Sequence, residues 1–325
     1  MGPFHIFGAG GIGLALAVSL HKAGLNVLLV EKNSKKIDYC NAHGVILNNQ
    51  HFPIKILPFD LWKPIPNAIH FLCVKCYDNS KILEKIPTQA ILIPIQNGFD
   101  QQLSLHPLAG EGIASFISEC TPFTTKATIT RAGKLHLGPL QPWANLKLLS
   151  ELNAHLKEGG LDSYLVSWSL PYKNTKLMYN AAISPLTSAG GLENSALLKA
   201  GKLRTLFFRL LLENYTILKA ANQPLGTLGP MHPSKVAWLL KTQGLGEMLA
   251  PFFRPSLKQT YCSMFNDIAM GETEIDNYNG HLSRLAKAFN TPSPINDHAV
   301  SVIENMSLNR CKGSSNWLAS LLDPF

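Results

Sequence analysis

The chain begins with a glycine-rich stretch, residues 4–15, that constrains its fold more than any other feature. The apolar residues at the start of the stretch predict a short strand, and those after Gly13 predict a helix. Gly8, Gly10 and Gly13 fit the G-x-G-x-x-G pattern, whose glycines allow a tight turn, backbone approach to a pyrophosphate and close helix–strand packing. A second apolar strand at residues 27–30 completes a βαβ unit, which favours a dinucleotide site over a ligand-free turn. The residues expected to hold the cofactor are Gly8, Ala9, Gly10, Gly11, Ile12 and Gly13.

Length, composition and charge exclude several classes of protein. A chain of 325 residues predicts two domains, and 46% hydrophobic residues indicate a globular protein. We expect no membrane helix, because no uninterrupted apolar run reaches the roughly 18 residues that one requires. The net charge of +8 is spread along the chain, which suits an anionic cofactor and substrate and does not indicate a nucleic-acid surface.

The six cysteines show no spacing typical of an extracellular disulfide framework, so we expect a cytoplasmic protein. Cys73 and Cys76 form a C-x-x-C pair, but a redox pair would open a helix, whereas Cys73 falls late in an apolar run. No second cysteine pair completes a zinc site, and we therefore predict no metal.

Two further apolar runs, residues 68–74 and 90–95, predict strands buried on both faces of a parallel sheet. They end at Lys75 and at Gln96-Asn97-Gly98. Ligands bind outside the carboxyl ends of such strands, so Lys75 and Asn97 are expected at the same rim as the glycine turn. A solvated lysine and an ordinary Asn-Gly turn remain the alternatives.

The fold class predicted is an α/β Rossmann-type domain, residues 1–167, followed by an all-α domain, residues 168–325. Residues 124–129 and 134–137 are expected to pair as a hairpin that closes the first domain. Beyond residue 171 the strand signals nearly vanish. Helices are predicted at residues 172–184, 203–221, 234–240, 258–269, 274–288 and 297–308.

The junction after the second strand bears on the choice of cofactor. An acidic side chain at this position favours NAD, through the ribose 2′-hydroxyl, whereas a basic one favours the 2′-phosphate of NADP. Here Glu31 and Lys32 stand side by side, and the sequence leaves open which of them points inward.

Polar residues recur on one face of the helix predicted at residues 172–184. Lys176, Asn180 and Ser184 are spaced four apart, so they form a ridge of an amine, an amide and a hydroxyl. Glu274 is an acid at the start of a later helix. From periodicity alone, the ridge could equally be the solvent face of an amphipathic helix.

Short motifs along nearly the whole chain together resemble the ketopantoate reductase (2-dehydropantoate 2-reductase) family. They are residues 8–13, 74–78, 96–98 and 136–138, Lys176-Leu177 with Asn180, residues 185–187, Ser263-Met264 with Asp267, residues 273–276, and Asn279-Gly280. Each motif is weak by itself, but their order along the chain is specific.

The resemblance implies NADPH-dependent reduction of 2-dehydropantoate to pantoate. Lys176 resembles the general acid that protonates the nascent alkoxide, and Glu274 resembles the acid that bridges the nicotinamide and the substrate hydroxyl. The residues that resemble substrate-binding groups are Asn97, Asn180, Ser184, Asn194 and Ser263. Lys32 aligns with an NADP-reading arginine, and Lys75, Asn97 and Glu274 resemble residues that contact the cofactor.

The sequence departs from the family at two positions. Ser184 and Thr260 stand where asparagines are usual, which leaves open a related reductase of another bulky 2-oxo acid. The cofactor favoured is NADPH, with NADH open because Glu31 precedes Lys32. A homodimer and a non-catalytic NADP(H) sensor also remain open.

Overall fold

The computed structural model describes residues 2–141 and 146–325, apart from the side chains of Ser104 and Ser256. Two compact units divide the chain. The first runs to Gln96 and resumes at Asp100–Ser169; the second combines Asn97–Phe99 with Leu170–Phe325. The assignment of nucleotide binding to residues 1–167 and of catalysis to residues 168–325 stays a prediction.

The first unit alternates strands and helices along the described chain. Its strands are β1 (Phe4–Phe7), β2 (Val27–Glu31), β3 (Val45–Leu47), β4 (Gln50–Phe52), β5 (Lys55–Pro58), β6 (Ile69–Leu72), β7 (Ile91–Pro94), β8 (Glu111–Ala114), β9 (Ile117–Cys120), β10 (Lys126–Arg131), β11 (Leu135–Gly138) and β12 (Ser163–Leu165). Its helices are α1 (Gly11–Lys22), α2 (Ser34–His43), α3 (Asn79–Leu83) and α4 (Lys147–Glu158).

A five-stranded sheet in the order β5-β2-β1-β6-β7 forms the centre of this unit, and all of its pairings are parallel. β1 and β6 are buried along their whole length, as their continuous apolar sequences predict. Helix α1 buries its residues 13–20, which places the glycine turn between β1 and α1 at the carboxyl edge of the sheet. The Rossmann-type expectation is therefore confirmed.

The hairpin expected between residues 124–129 and 134–137 is wrong. β10 pairs with β9 and β3, whereas β11 pairs with β8 and β12, so the two strands belong to different sheets. Two segments of the backbone come close together at Gly133, where a Cβ would lie 2.6 Å from the backbone nitrogen of Phe116. This glycine marks a close approach of two backbones, not a hairpin turn.

Helices form the regular secondary structure of the second unit within the described residues. They are α5 (Leu170–Gly190), α6 (Lys202–Ala220), α7 (Pro233–Lys241), α8 (Leu245–Phe253), α9 (His281–Ala288), α10 (Pro294–Leu308) and α11 (Ser315–Leu322). Their apolar faces share one hydrophobic core. No helix in the described part of either unit is both long and apolar enough to span a membrane.

Two helix predictions in this unit need correction. Residues 258–269 form turns and only the start of a 3₁₀ segment, Ile268–Met270, in place of a continuous helix. The helix predicted at residues 274–288 begins after Glu274 with a π-helical turn, Asp276–Gly280, before α9. Such turns are rare and occur frequently at functional sites.

Candidate functional site

The glycine turn fits a bound phosphate group. Gly8 has φ +99°, a backbone conformation that side chains rarely adopt, and a Cβ on Gly13 would lie 2.0 Å from the carbonyl oxygen of Gly8. A Cβ on Gly10, in contrast, would meet no atom of the described chain within 4 Å. Gly8 and Gly13 are thus required by the fold, while Gly10 keeps space open where a ligand would approach the backbone.

A cleft of about 220 Å³ lies beside this turn. Its lining includes Gly8, Gly10, Glu31, Lys32, Lys36, Cys73, Lys75, Asp78 and Lys81. Lysines outnumber carboxylates along these walls, so the cleft is electropositive and suits an anionic ligand. The structure brings Lys32 and Lys75, both predicted from the sequence, to the same cleft as the glycines.

Glu31 is buried, and its carboxylate braces the glycine turn. One oxygen accepts a hydrogen bond from the backbone N–H of Ala9 at 2.8 Å, and the other accepts from the N–H groups of Lys32 and Asn33 at 2.9 and 3.0 Å. The ammonium of Lys36 donates to the carbonyl oxygen of Ala9 at 2.9 Å. Charged side chains therefore bind both the N–H and the carbonyl oxygen of Ala9 in the turn.

Lys32 extends from the same strand end and is exposed. Its ammonium pairs with Asp78 across the cleft, with 2.6 Å between Nζ and Oδ1. Lys32 therefore supplies an accessible charge at the position that reads the adenosine ribose in related folds, whereas the carboxylate of Glu31 is turned toward the backbone.

The segment that follows β6 is fixed by Gln96, for which the sequence predicts no role. Gln96 Nε2 donates to the carbonyl oxygen of Val74 and to Asn79 Oδ1, both at 2.8 Å. These bonds lock the backbone next to Lys75. Burial raises the pKa of the Cys73 thiol, so this side chain lines the cleft as a neutral group.

In the second unit, Lys176 and Asn180 are half-buried on α5 and Ser184 is buried. The helix continues through Pro185, although a proline has no N–H to donate to the carbonyl oxygen of Ala181. Asn279 Nδ2 donates to that oxygen at 2.8 Å. One side chain thus satisfies the carbonyl that Pro185 leaves and ties the π-helical turn to the ridge-bearing helix.

A chain of buried asparagines extends this tie. Asn279 Nδ2 also donates to Asn296 Oδ1 at 2.9 Å, and Asn296 Nδ2 donates to Asn214 Oδ1 at 2.8 Å. Asn214 Nδ2 in turn donates to the carbonyl oxygen of Met178 at 3.0 Å. The backbone of α5 is therefore anchored at two points that flank Asn180, and sequence reasoning missed this network.

Glu274 is almost fully buried, with 2% of its surface exposed. The hydroxyl of Tyr278 donates to Glu274 Oε2 at 3.3 Å and lies 3.1 Å from the hydroxyl of Ser263. The structure thus links two predicted site residues, Glu274 and Ser263, through a tyrosine that the sequence did not single out.

The loop that carries Asn97 belongs to the helical unit because Phe99 is fixed there. Phe99 N donates to the carbonyl oxygen of Asn277 at 2.9 Å, and Asn277 Nδ2 donates back to the carbonyl oxygen of Phe99 at 3.1 Å. The Phe99 ring stacks on His281, with 4.3 Å between ring centroids, and the Lys173 ammonium lies 4.5 Å from its centroid. This set of contacts places Asn97 two residues from a rigid anchor.

Asn194 opens a 3₁₀ turn and is paired with Thr260. Its backbone N–H donates to the carbonyl oxygen of Thr260 at 2.9 Å, and its Nδ2 donates to Thr260 Oγ1 at 3.0 Å. Both side chains are more than nine-tenths buried. Thr260 is one of the two positions at which asparagine was expected.

Comparison with known proteins identifies similarity over both units. The family described as "Ketopantoate reductase PanE/ApbA" matches residues 4–141, and "Ketopantoate reductase PanE/ApbA C terminal" matches residues 170–307. A 2-dehydropantoate 2-reductase of Aquifex aeolicus is 24% identical over 320 residues, which are 95% of this chain and 98% of that protein.

Solved structures share the fold at lower identity. A D-mandelate dehydrogenase in a ternary complex with NADH and anilino(oxo)acetate superposes with a TM-score of 0.76 at 18% identity, covering 95% of this chain and 99% of the other. A PanE/ApbA family ketopantoate reductase from Ralstonia eutropha gives the same TM-score at 19% identity, with the same coverage.

Proposed function

Because this chain belongs to the ketopantoate reductase family, we propose that it reduces 2-dehydropantoate to (R)-pantoate with NADPH, a step toward pantothenate. The observation that carries the proposal is the hydrogen bond from Asn279 to the carbonyl oxygen of Ala181, because it joins the helical segment that follows Glu274 to the helix that carries Lys176. Glu274 directly precedes the helix whose Asn279 binds the carbonyl oxygen of Ala181, between Asn180 and Ser184 on α5. An amine and a buried carboxylate are thereby held on connected elements.

We propose that Lys176 donates the proton that the substrate's carbonyl oxygen takes up during reduction. Reduction of a 2-oxo acid develops negative charge on the carbonyl oxygen, which an ammonium group stabilises and then protonates. Bound NADPH would supply the hydride. Asn97, Asn180, Ser184, Asn194 and Ser263 are proposed to hold the substrate, so that its carbonyl carbon is correctly oriented.

Glu274 is proposed to accept a hydrogen bond from the new hydroxyl that reduction of the keto group creates on the product. The Tyr278 hydroxyl supports this role because it fixes one carboxylate oxygen, Oε2, at 3.3 Å. Because the carboxylate is already held in place, little free energy is needed to orient it when the substrate binds.

The charges at the cleft of the first unit support NADPH as the preferred cofactor. Glu31 accepts three backbone hydrogen bonds, whereas the Lys32 ammonium is accessible for a 2′-phosphate. NADH remains the alternative, because Lys32 is also paired with Asp78. An ammonium gives weaker geometric selection than the planar fork of an arginine.

The cofactor assignment is tested by the ratio of kcat/KM for NADPH to that for NADH. We expect Lys32→Ala to lower this ratio by about tenfold, the effect of losing one charge-assisted hydrogen bond. Lys35→Ala is the matched control, because Lys35 is an exposed lysine of the same segment that packs over Phe123. A ratio that both variants leave unchanged would contradict the role of Lys32.

A related reductase of another bulky 2-oxo acid is the second candidate. Ser184 and Thr260 favour it, since a serine and a threonine replace two expected asparagines and both are buried. NADPH oxidation by the purified protein, measured with 2-dehydropantoate, phenylglyoxylate, 2-oxoisovalerate and pyruvate, separates the candidates by the preferred acid. Binding of NADPH without oxidation in any reaction would indicate a sensor, and light scattering of the same sample tests the homodimer.

A further inference from the structure

The hydrogen bonds around Thr260 determine which end of the Asn194 amide is paired within the described chain and which end is left without a donor. A threonine hydroxyl carries one hydrogen and two acceptor lone pairs. Thr260 Oγ1 donates its hydrogen to the carbonyl oxygen of Leu257 at 2.8 Å. Toward Asn194 it can therefore only accept, and the NH₂ group of the amide must face it, as the 3.0 Å contact from Nδ2 shows.

The other end of the amide is then fixed as an acceptor. Asn194 Oδ1 is buried, and no residue of the described chain donates a hydrogen bond to it. A buried carbonyl oxygen without a donor costs about 1–3 kcal/mol, so a ligand with a donor would be favoured there. Asn194 itself is only 7% exposed.

The turn around Asn194 is also rigid. Glu193 Oε2 accepts a hydrogen bond from the backbone N–H of Gln259 at 3.1 Å, and the Glu193 carboxylate also accepts from the hydroxyl of Ser195. Together with the two bonds between Asn194 and Thr260, the bond from Gln259 holds Glu193 and Asn194 against residues 259–260. Rotation of the amide by half a turn is disfavoured because it would turn its carbonyl oxygen toward a hydroxyl oxygen that has no hydrogen left to donate.

The chemistry of a 2-oxo acid limits what can meet this acceptor. Its carboxylate and its keto oxygen are both acceptors, so neither can satisfy Asn194 Oδ1. A hydroxyl elsewhere on the substrate can donate to it. We infer that Thr260 is a specificity-determining positioning residue, which orients Asn194 to select 2-oxo acids that carry a hydroxyl donor over those that do not. This inference rests on the proposed function and narrows its substrate class.

The test compares 2-dehydropantoate with trimethylpyruvate, which has the same branched skeleton without the hydroxyl. A neutral hydrogen bond contributes about 0.5–1.5 kcal/mol, so we expect the wild-type kcat/KM to be up to about tenfold higher for 2-dehydropantoate from this contact alone. Thr260→Val keeps the shape of the side chain but removes its hydroxyl. It should abolish most of that preference, chiefly by raising KM for the hydroxylated acid, whereas Thr260→Ser should restore it.

Thr205→Val provides the control, because Thr205 is an exposed threonine whose hydroxyl donates only to a local carbonyl, that of Gly201. Loss of activity on both acids in equal proportion by Thr260→Val would indicate a purely structural role and overturn the inference. Equal wild-type kcat/KM for the two acids would also overturn it, and that measurement does not depend on the folding of any variant. If wild type oxidises NADPH with neither acid, the proposed function itself fails.

Discussion

The contact between Asn279 and α5 yields a quantitative prediction for a pair of substitutions. Asn279→Ala removes the donor for two acceptors, the carbonyl oxygen of Ala181 and Oδ1 of Asn296. Pro185→Ala introduces an N–H four residues after Ala181, which can donate to the same carbonyl oxygen in the regular helical pattern. The second substitution should therefore partly compensate for the first.

The burial of these groups determines how strongly Asn279→Ala should destabilise the protein. Ala181, Asn279 and Asn296 are all 0% exposed, so neither acceptor can turn to water when its donor is lost. At about 1–3 kcal/mol for each unsatisfied group, Asn279→Ala should destabilise this region by roughly 2–6 kcal/mol. The new N–H at residue 185 satisfies one of the two acceptors, so the double variant should be destabilised by about 1–3 kcal/mol less than the sum of the two single effects.

Hydrogen exchange measured by mass spectrometry suits this double-mutant cycle, because it reports local opening free energies separately for the two units. Peptides from α5 and from the turn at Asp276–Gly280 should show the coupling. Pro251→Ala, the same change at the exposed proline inside α8, should be additive with Asn279→Ala to within about 0.5 kcal/mol. If Pro185→Ala were also additive with Asn279→Ala, the argument that Asn279 replaces the N–H missing at Pro185 would be refuted.

Three further predictions concern catalysis, acid stability and the loop after β7. Lys176→Ala should lower kcat by about 10²–10⁴ in the NADPH oxidation assay, whereas the exposed control Lys219→Ala should not; a change within a few-fold would refute the general-acid role. Burial and the neighbouring His70 lower the pKa of His5 to about 4, so the unfolded chain binds more protons below about pH 6.5. The free energy of unfolding should thus decrease as the pH falls from about 6.5 through 4, by up to roughly 3 kcal/mol. Hydrogen exchange of β1 peptides should show a weaker dependence on pH in His5→Phe than in the wild type. Phe99→Leu removes an aromatic contact worth about 0.5–1.5 kcal/mol, so KM for the 2-oxo acid should rise up to about tenfold; the exposed control Phe289→Leu should leave it unchanged.

The central sheet could be predicted because its information is local. Continuous apolar runs define β1, β6 and β7, and parallel strands place their carboxyl ends at one edge. Strand partners are not local information. The sequence of residues 124–137 predicts two strands correctly, but only the tertiary contacts of β8 and β12 determine that β10 and β11 lie in different sheets.

The candidate site shows the same distinction. Lys176, Asn180 and Ser184 share a helix face because of their spacing, which the sequence displays directly. The partner of Phe99 is Asn277, 178 residues later, and no periodicity predicts such a pair. A proline within a predicted helix does indicate that a carbonyl has lost its partner, but the sequence does not identify Asn279 as the replacement donor.

The polar residues show why residue type alone leaves a role undetermined. Glu31 lies where an acid commonly accepts from a ribose hydroxyl, yet its two oxygens already accept backbone N–H groups, one of them from the glycine turn itself. Thr260 replaces an expected asparagine, yet its one hydrogen is used by Leu257, so it acts on Asn194 only as an acceptor. In both cases the bond already made within the protein decides what remains for a ligand. Differences of cofactor or substrate preference among similar chains should therefore follow changes in these internal partners as much as changes in the residues that contact the ligand.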